Sequence, residues 1–401
     1  MAPEIRPLTP DDAEASRRLG WEAFGLPAKL PKKPAVLETA GHTWLGAFEG
    51  GQLLGRLVGL EHESAFGGVF LPSVGIAGVT VGNEHRSAGL LRPLFTALLS
   101  DARAHGVAVS TLYPSAPGIY RGAGYEAIAT SGQATLPTSA LARLRVPAGI
   151  TLRRAGNDDV TGVHELYHEW ALAQNGPLAH RGVLYETKPS KWLKEFTGVT
   201  LAEDGDGVLQ GYLAWHRGDA SDSRLDIEEF HWRTPDAATA LLAMLATNAP
   251  VTGSVRFATS GNDPLRLVLP SAHWTVEHHA PYMLKVVDLR AALTERLWPE
   301  GVDVELPFRV VDDLLEANNG DWKLRIEDGH PWLTRIGKTG SHPSRVVPLE
   351  MGSRGLAALY AGAQTATSLR TAGLVWGGDP ARDLTWSVAF GGRAVHIRDT
   401  F

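Results

Sequence analysis

An internal repeat constrains this chain more than any other feature. Leu152-Arg153 stands about 147 residues after Ile5-Arg6, Asp158-Asp159 after Asp11-Asp12, and Leu166 and Glu169 after Leu19 and Glu22. In each copy a short alternating stretch runs into an acidic cap signal and then into helical spacing. In the first copy Thr9-Pro10-Asp11-Asp12 puts proline at the first helical position, and the helix is expected over Ala13 to Phe24. A hairpin follows each time. Trp44 to Phe48 and Leu53 to Val58 flank Glu49-Gly50-Gly51-Gln52, while Thr200 to Ala202 and Leu209 to Trp215 flank Asp204-Gly205-Asp206-Gly207. Two passes through strand, capped helix and hairpin predict a duplicated α/β unit with mixed sheets.

The first copy continues with a strand expected over Val74 to Val81, a helix over His85 to His105 broken only near its glycine-bearing start, and a strand over Val107 to Tyr113. Pro137 to Gly149, with two prolines, links the copies. A third unit follows Leu289 to Leu293. It has strands expected over Leu306 to Val311 and Trp322 to Ile326 around Asn318-Asn319-Gly320-Asp321, a helix around Gly352 to Gly362, and the segment Ala394 to Ile397. A chain of 401 residues exceeds one compact core. The expected division is therefore 1–140, 150–290 and 295–401, the last a small α+β domain.

Several function classes are excluded. A formal net charge of -6 does not draw in nucleic acid or an anionic membrane. With no cysteine there is no disulfide, thiolate metal site or acyl-cysteine, so any acyl transfer is direct or uses another nucleophile. No run approaches the roughly 20 apolar residues of a membrane span, and Met1 to Ala15 lacks the apolar region of a secretory leader, so a cytoplasmic protein is expected. His164-Glu165-Leu166-Tyr167-His168 formally matches the H-E-x-x-H zinc pattern. The repeat makes this helix the counterpart of Ala13 to Phe24, a supporting element, so no metal is expected. His231, His278 and His279 read as incidental. The 12 tryptophans read as core or interface anchors, with Trp21 and Trp44 as candidates to line a substrate cavity.

The segment that carries chemistry is Val79-Thr80-Val81-Gly82-Asn83-Glu84-His85-Arg86-Ser87-Ala88-Gly89-Leu90-Leu91-Arg92. An apolar strand enters a loop with a basic residue and a glycine, and then a helix. Glycine permits close backbone approach. The first helical amides are unpaired and lie at the positive end of the helix dipole, which suits a pyrophosphate, and Arg86 and Arg92 add charge. On spacing alone an ordinary strand-turn-helix with solvated arginines is the alternative.

This segment resembles the acetyl-CoA motif R/Q-x-x-G-x-G/A of the GNAT acetyltransferases, with Leu91 departing from its last position. Arg86-x-x-Gly89-Leu90-Leu91-Arg92 resembles one branch, the Eis (enhanced intracellular survival) acetyltransferases. Ser115-Ala116-Pro117-Gly118-Ile119-Tyr120-Arg121-Gly122-Ala123-Gly124-Tyr125 is similar to that family's Ser-x-x-Gly-Ile-Tyr-x-x-Phe-Gly-Tyr, with Ala123 in place of phenylalanine. Length, three-part organisation and a final phenylalanine agree. The resemblance implies two tandem GNAT-like domains followed by a sterol-carrier-protein-like domain. It implies Tyr120 as general acid and the Phe401 α-carboxylate as general base. Acetyl-CoA would be held by Val79, Thr80 and Val81, by Arg86, Ser87, Ala88, Gly89, Leu90, Leu91 and Arg92, and by Ser115 and Ala116. Only the first unit is expected to be active, since Phe230 to Ala246 has no Arg-x-x-Gly. The implied acceptors are amines, aminoglycosides above all, with Glu22 and Asp399 as candidate acidic contacts. The implied assembly is a homohexamer. A lysine or other amine metabolite as acceptor, and a lipid-binding role for the third domain, are the competing expectations.

Overall fold

The computed structural model describes residues 3–25, 32, 34–218, 223–260, 263–269, 274–336 and 347–401; the side chains of His278 and His279, read above as incidental, lie outside that description. The first copy contributes β1 (Glu4–Pro7), α1 (Ala13–Ala23), β2 (His42–Glu49), β3 (Gln52–Phe66), β4 (Val69–Val81), α2 (Leu91–Ala104), β5 (Val109–Leu112), α3 (Pro117–Gly122) and β6 (Glu126–Pro137). The second contributes β7 (Thr151–Arg154), α4 (Val160–Leu172), β8 (Gly198–Glu203), β9 (Leu209–Arg217), β10 (Arg224–Trp232), a helix Pro235–Ala246, β11 (Ser254–Ser260) and β12 (Thr275–Val286).

The repeated residues do the same job twice. Arg6 pairs with Asp12 at 2.7 Å and Arg153 with Asp159 at 2.7 Å. Each aspartate also accepts the amide that opens its helix turn, from Thr9 (2.8 Å) and Gly156 (2.7 Å). The ion pair thus clamps the first strand of each copy to its helix start. The apolar positions of α1 and α4 face inward, with Leu19 and Leu166 both buried.

All twelve strands form one sheet in the order β1-β2-β3-β4-β5-β12-β6-β11-β10-β9-β8-β7. The two copies therefore exchange their last strands. β12 pairs antiparallel with β5 (Met283 opposite Leu112), β6 pairs antiparallel with β11 (Ser260 opposite Ser131), and β6 and β12 pair with each other at the centre. Boundaries near 140 and 290 consequently do not partition the sheet: β6 closes the second half and β12 the first.

The third unit is a five-stranded sheet of β13 (Val304–Val311), β14 (Gly320–Glu327), β15 (His330–Ile336), β16 (Leu349–Gly352) and β17 (Val375–Gly377), ordered β15-β14-β13-β16-β17, with helices that include Ser353–Tyr360 and Asp383–Phe390. Its core is continuous with the large sheet, since Phe308, Leu356 and Trp386 belong to one buried cluster with Phe66, Val109, Tyr282 and Leu284. A buried ion pair crosses the same junction, Lys285 Nζ to Asp312 at 3.0 Å. Among the described residues no helix is long and apolar enough to cross a membrane.

Candidate active site

β4 and β5 run parallel for only three registered pairs, Ser73 with Val109, Val74 with Ser110 and Gly75 with Thr111. β4 then continues alone to Val81 on that side. Its last six residues, Ile76 to Val81, present roughly 20 Å of unpaired strand edge at about 3.3 Å per residue. The register against β3 jumps from Arg56–Thr80 to Val58–Ala77, so Gly78 and Val79 form a bulge, and Gly78 takes φ 56°. The result is a splayed groove with backbone donors and acceptors along one wall.

Nine residues, Gly82 to Leu90, join β4 to α2. The helix expected from His85 starts at Leu91 instead. Ser87 (φ 71°) and Gly89 (φ 74°) are both left-handed, which a continuing helix does not allow. Arg86, Ser87, Ala88 and Gly89 are exposed and Leu90 is buried. The 14-residue α2 opens with no side-chain cap, leaving its first amides free at the groove. Val79 and Val81 are half-buried while Thr80 is buried. These features fit an extended thioester chain laid along β4 with its pyrophosphate at α2. Arg92 is the exception. Its guanidinium donates to the Asp313 carbonyl of the third unit, so it ties α2 to that domain.

Tyr120 sits in α3, on the α2 side of the groove, with its ring edge-on to Phe95 at 6.0 Å. Burial raises its hydroxyl above the ordinary tyrosine value and a hydrogen bond with Ser115 pulls it back in part. It is therefore a neutral donor at physiological pH. Ser115 is exposed and Ala116 half-buried, both in the loop between β5 and α3.

The last residue of the chain arrives where β4 and β5 part. A Cβ placed on Gly75 would stand 2.7 Å from the Phe401 ring, so only glycine leaves room there. The ring packs on His62 (5.0 Å), Tyr113 (5.6 Å) and Tyr282 (6.5 Å). Two residues earlier, the buried Asp399 carboxylate accepts from Leu178 N (2.9 Å) and contacts His180 Nε2 (2.6 Å), and its backbone carbonyl accepts from the Tyr113 hydroxyl. Asp399 is thus a tail anchor and not a free acidic contact. Glu22 accepts from Asn83 Nδ2 at 2.9 Å and buttresses the loop after β4. The anchoring partners escape sequence reading, because His62, Tyr113, His180 and Tyr282 share no local pattern.

Among the described residues the second half shows no such site. Its helix follows β10 after only Arg233 and Thr234, and the Thr234 hydroxyl accepts from Ala237 at 3.3 Å. β10 and β11 stay in register only as far as Ile227 and Phe257. Beyond that point Arg398 fills the gap, donating to the Phe230 carbonyl (3.0 Å) and to Asp263 (2.8 Å). One tail therefore plugs the second groove and enters the first. The two histidines of the H-E-x-x-H string turn to aromatic neighbours, His164 to Trp192 (5.1 Å) and His168 to Phe70 (5.2 Å). Among the described residues no cluster of three metal-ligating side chains occurs.

Comparison with known proteins identifies the domains that make up this fold. Residues 4–128 and 176–290 each match an acetyltransferase (GNAT) domain family, and residues 289–397 match a sterol carrier protein domain family. An uncharacterized N-acetyltransferase of Streptomyces coelicolor is 28% identical over 330 residues, covering 77% of this chain and 76% of its own. The N-acetyltransferase Eis of Mycobacterium bovis is 26% identical over 343 residues, covering 82% of this chain and 80% of its own. The solved structure of a GCN5-related N-acetyltransferase from Kribbella flavida superposes with a TM-score of 0.82 at 28% identity, covering 100% of this chain and 99% of the other.

Proposed function

We propose that this chain, an N-acetyltransferase of the GNAT superfamily resembling the Eis proteins, acetylates a small-molecule amine by direct transfer in the groove between β4 and β5. The observation that carries the proposal is the meeting, on one strand, of an unpaired donor-binding edge after Gly75 and the ring of Phe401 at Gly75 itself.

Acetyl-CoA is the co-substrate. The backbone of Val79, Thr80 and Val81 would hold its pantetheine arm, and the amides of Ser87, Gly89, Leu90 and Leu91, with Arg86 and the Ala88 backbone beside them, its pyrophosphate. Ser115 and Ala116 would line the opposite wall. The amine nitrogen attacks the thioester carbonyl carbon, a C–N bond forms and the C–S bond breaks. The proton lost by the amine goes to the Phe401 carboxylate, directly or through water, and the Tyr120 hydroxyl supplies a proton to the departing sulfur. An amide of the bulged strand stabilises the charge that develops on the carbonyl oxygen. Holding both reactants in one groove supplies much of the remainder.

The test is thiol release from acetyl-CoA with a panel of amines. Aminoglycosides, the acceptors that the resemblance implies, stand first in it, with lysine and simple amines beside them. Saturable, amine-dependent release supports the reading. Lipid binding with no release from any amine supports the alternative role through the third domain. The homohexamer implied by the same resemblance belongs to this proposal, and light scattering of the purified protein tests it.

A further inference from the structure

Arg56 is a buried cation with no anionic partner among the described residues. It is 8% exposed, and among the described residues no hydrogen bond or ion pair reaches its guanidinium, while its Nε is buried without a partner. Burial alone pushes it down to about 10, and no carboxylate opposes that shift. Burying an uncompensated charge is costly, so a fold that keeps one has a use for it.

The guanidinium is also built in. Gly20 of α1 lies so close that a Cβ there would stand 2.2 Å from Nη2, so α1 needs a glycine at that position. Nη1 points at Gly78, lying 3.3 Å from where its Cβ would be, and Gly78 is the half-buried bulge residue at the mouth of the splay. The Trp44 ring lies 5.0 Å away. Trp44 also lines an apolar cavity of about 400 Å³ with Leu8, Ala13, Val36 and Leu37. Arg56, Val58, Leu60 and His62 alternate onto the same face of β3, so the guanidinium and the Phe401 ring on His62 share that face.

We propose that Arg56 receives a carboxylate on the acceptor, and that the acceptor class is small apolar amino acids and similar amines carrying both groups. This rests on the transfer reaction proposed above and narrows its acceptor. An aminoglycoside offers this guanidinium hydroxyls and ammonium groups but no anion. A carboxylate supplies the missing partner, and an apolar side chain fills the cavity against Trp44.

Thiol release is measured with L-phenylalanine and L-leucine, with their primary amides, and with kanamycin, on wild type and Arg56→Met. Wild type prefers the acids over the amides by about tenfold or more in kcat/KM, as expected for a charge-assisted contact. Arg56→Met levels acids and amides, mainly through KM, with acetyl-CoA affinity unchanged. Calorimetric binding of N-acetyl-L-phenylalanine and its amide gives the same comparison without turnover, so it separates failure of this assignment from failure of the reaction. Equal binding of acid and amide to wild type overturns the assignment, as does a preference for kanamycin that survives in Arg56→Met. Loss of acetyl-CoA affinity in the variant also overturns it, because the anion would then be a phosphate of the donor.

Discussion

At the scale of single residues, the proposed chemistry rests on the Tyr120 hydroxyl and the Phe401 carboxylate. Tyr120→Phe removes one oxygen and leaves the packing on Phe95 intact. The expected outcome is an unchanged melting temperature and acetyl-CoA affinity with turnover lowered about tenfold or more; steady-state kinetics beside calorimetry measures both. The tail anchor gives a pH signature. Burial alone would lower His180, but Asp399, with Glu229 in support, outweighs it and the net shift is upward; Asp399 is also opposed by burial and is held below the ordinary range by His180. A raised histidine stabilises the fold below its ordinary value and loses that contribution as pH rises through the folded one. A lowered aspartate stabilises above its ordinary value and loses that contribution as pH falls. The pair therefore acts from below 3.8 to above 6.5. The melting-temperature gap between wild type and Asp399→Asn should be widest near about pH 5–6 and shrink above the raised histidine value. A gap that widens toward high pH contradicts the assignment. Tyr120 and the Arg86-x-x-Gly89 segment are legible in the sequence because they are local. Arg56 and His180 are not, since what defines each is a burial environment assembled from distant strands.

At the scale of elements, the proposed donor site is a strand, a loop and a helix start, which adjacent residues encode. The glycine and the unpaired first turn of α2 are read from Gly89 and the helical spacing that follows. The expected break near the glycine is there, but it removes the whole stretch from His85 to Leu90 from the helix, because left-handed backbone at the non-glycine Ser87 has no composition signal. Gly89→Val forces a β-branched residue to φ 74°, at a cost of about 1–2 kcal/mol, and puts a side chain where free amides are needed. Acetyl-CoA affinity should fall by about tenfold or more while the far-UV spectrum is retained. Unchanged affinity in the folded variant would remove this loop from the donor site.

At the scale of the whole molecule, three units are joined by features that act at long range. The duplication is visible as a 147-residue offset. The exchange of β6 and β12 is not, since both strands read equally well in either half and only their pairing decides. A chain ending at residue 140 therefore leaves β5 without β12 and carries β6 without β11. It should express as an aggregating or molten species with no cooperative melt, and a stable, cooperatively unfolding fragment would contradict the exchange. The tail is the other long-range device. Arg398 occupies the second groove, Asp399 locks onto His180, and Phe401 reaches the first groove, so in the proposed mechanism the third domain delivers the chain end. The most direct test is to compare native protein with a form extended by a few residues after Phe401 and a form lacking Phe401, following thiol release from acetyl-CoA with an active amine. Both altered forms should lose nearly all turnover while acetyl-CoA affinity and melting temperature stay close to native. Full turnover in the extended protein would contradict the account at its centre.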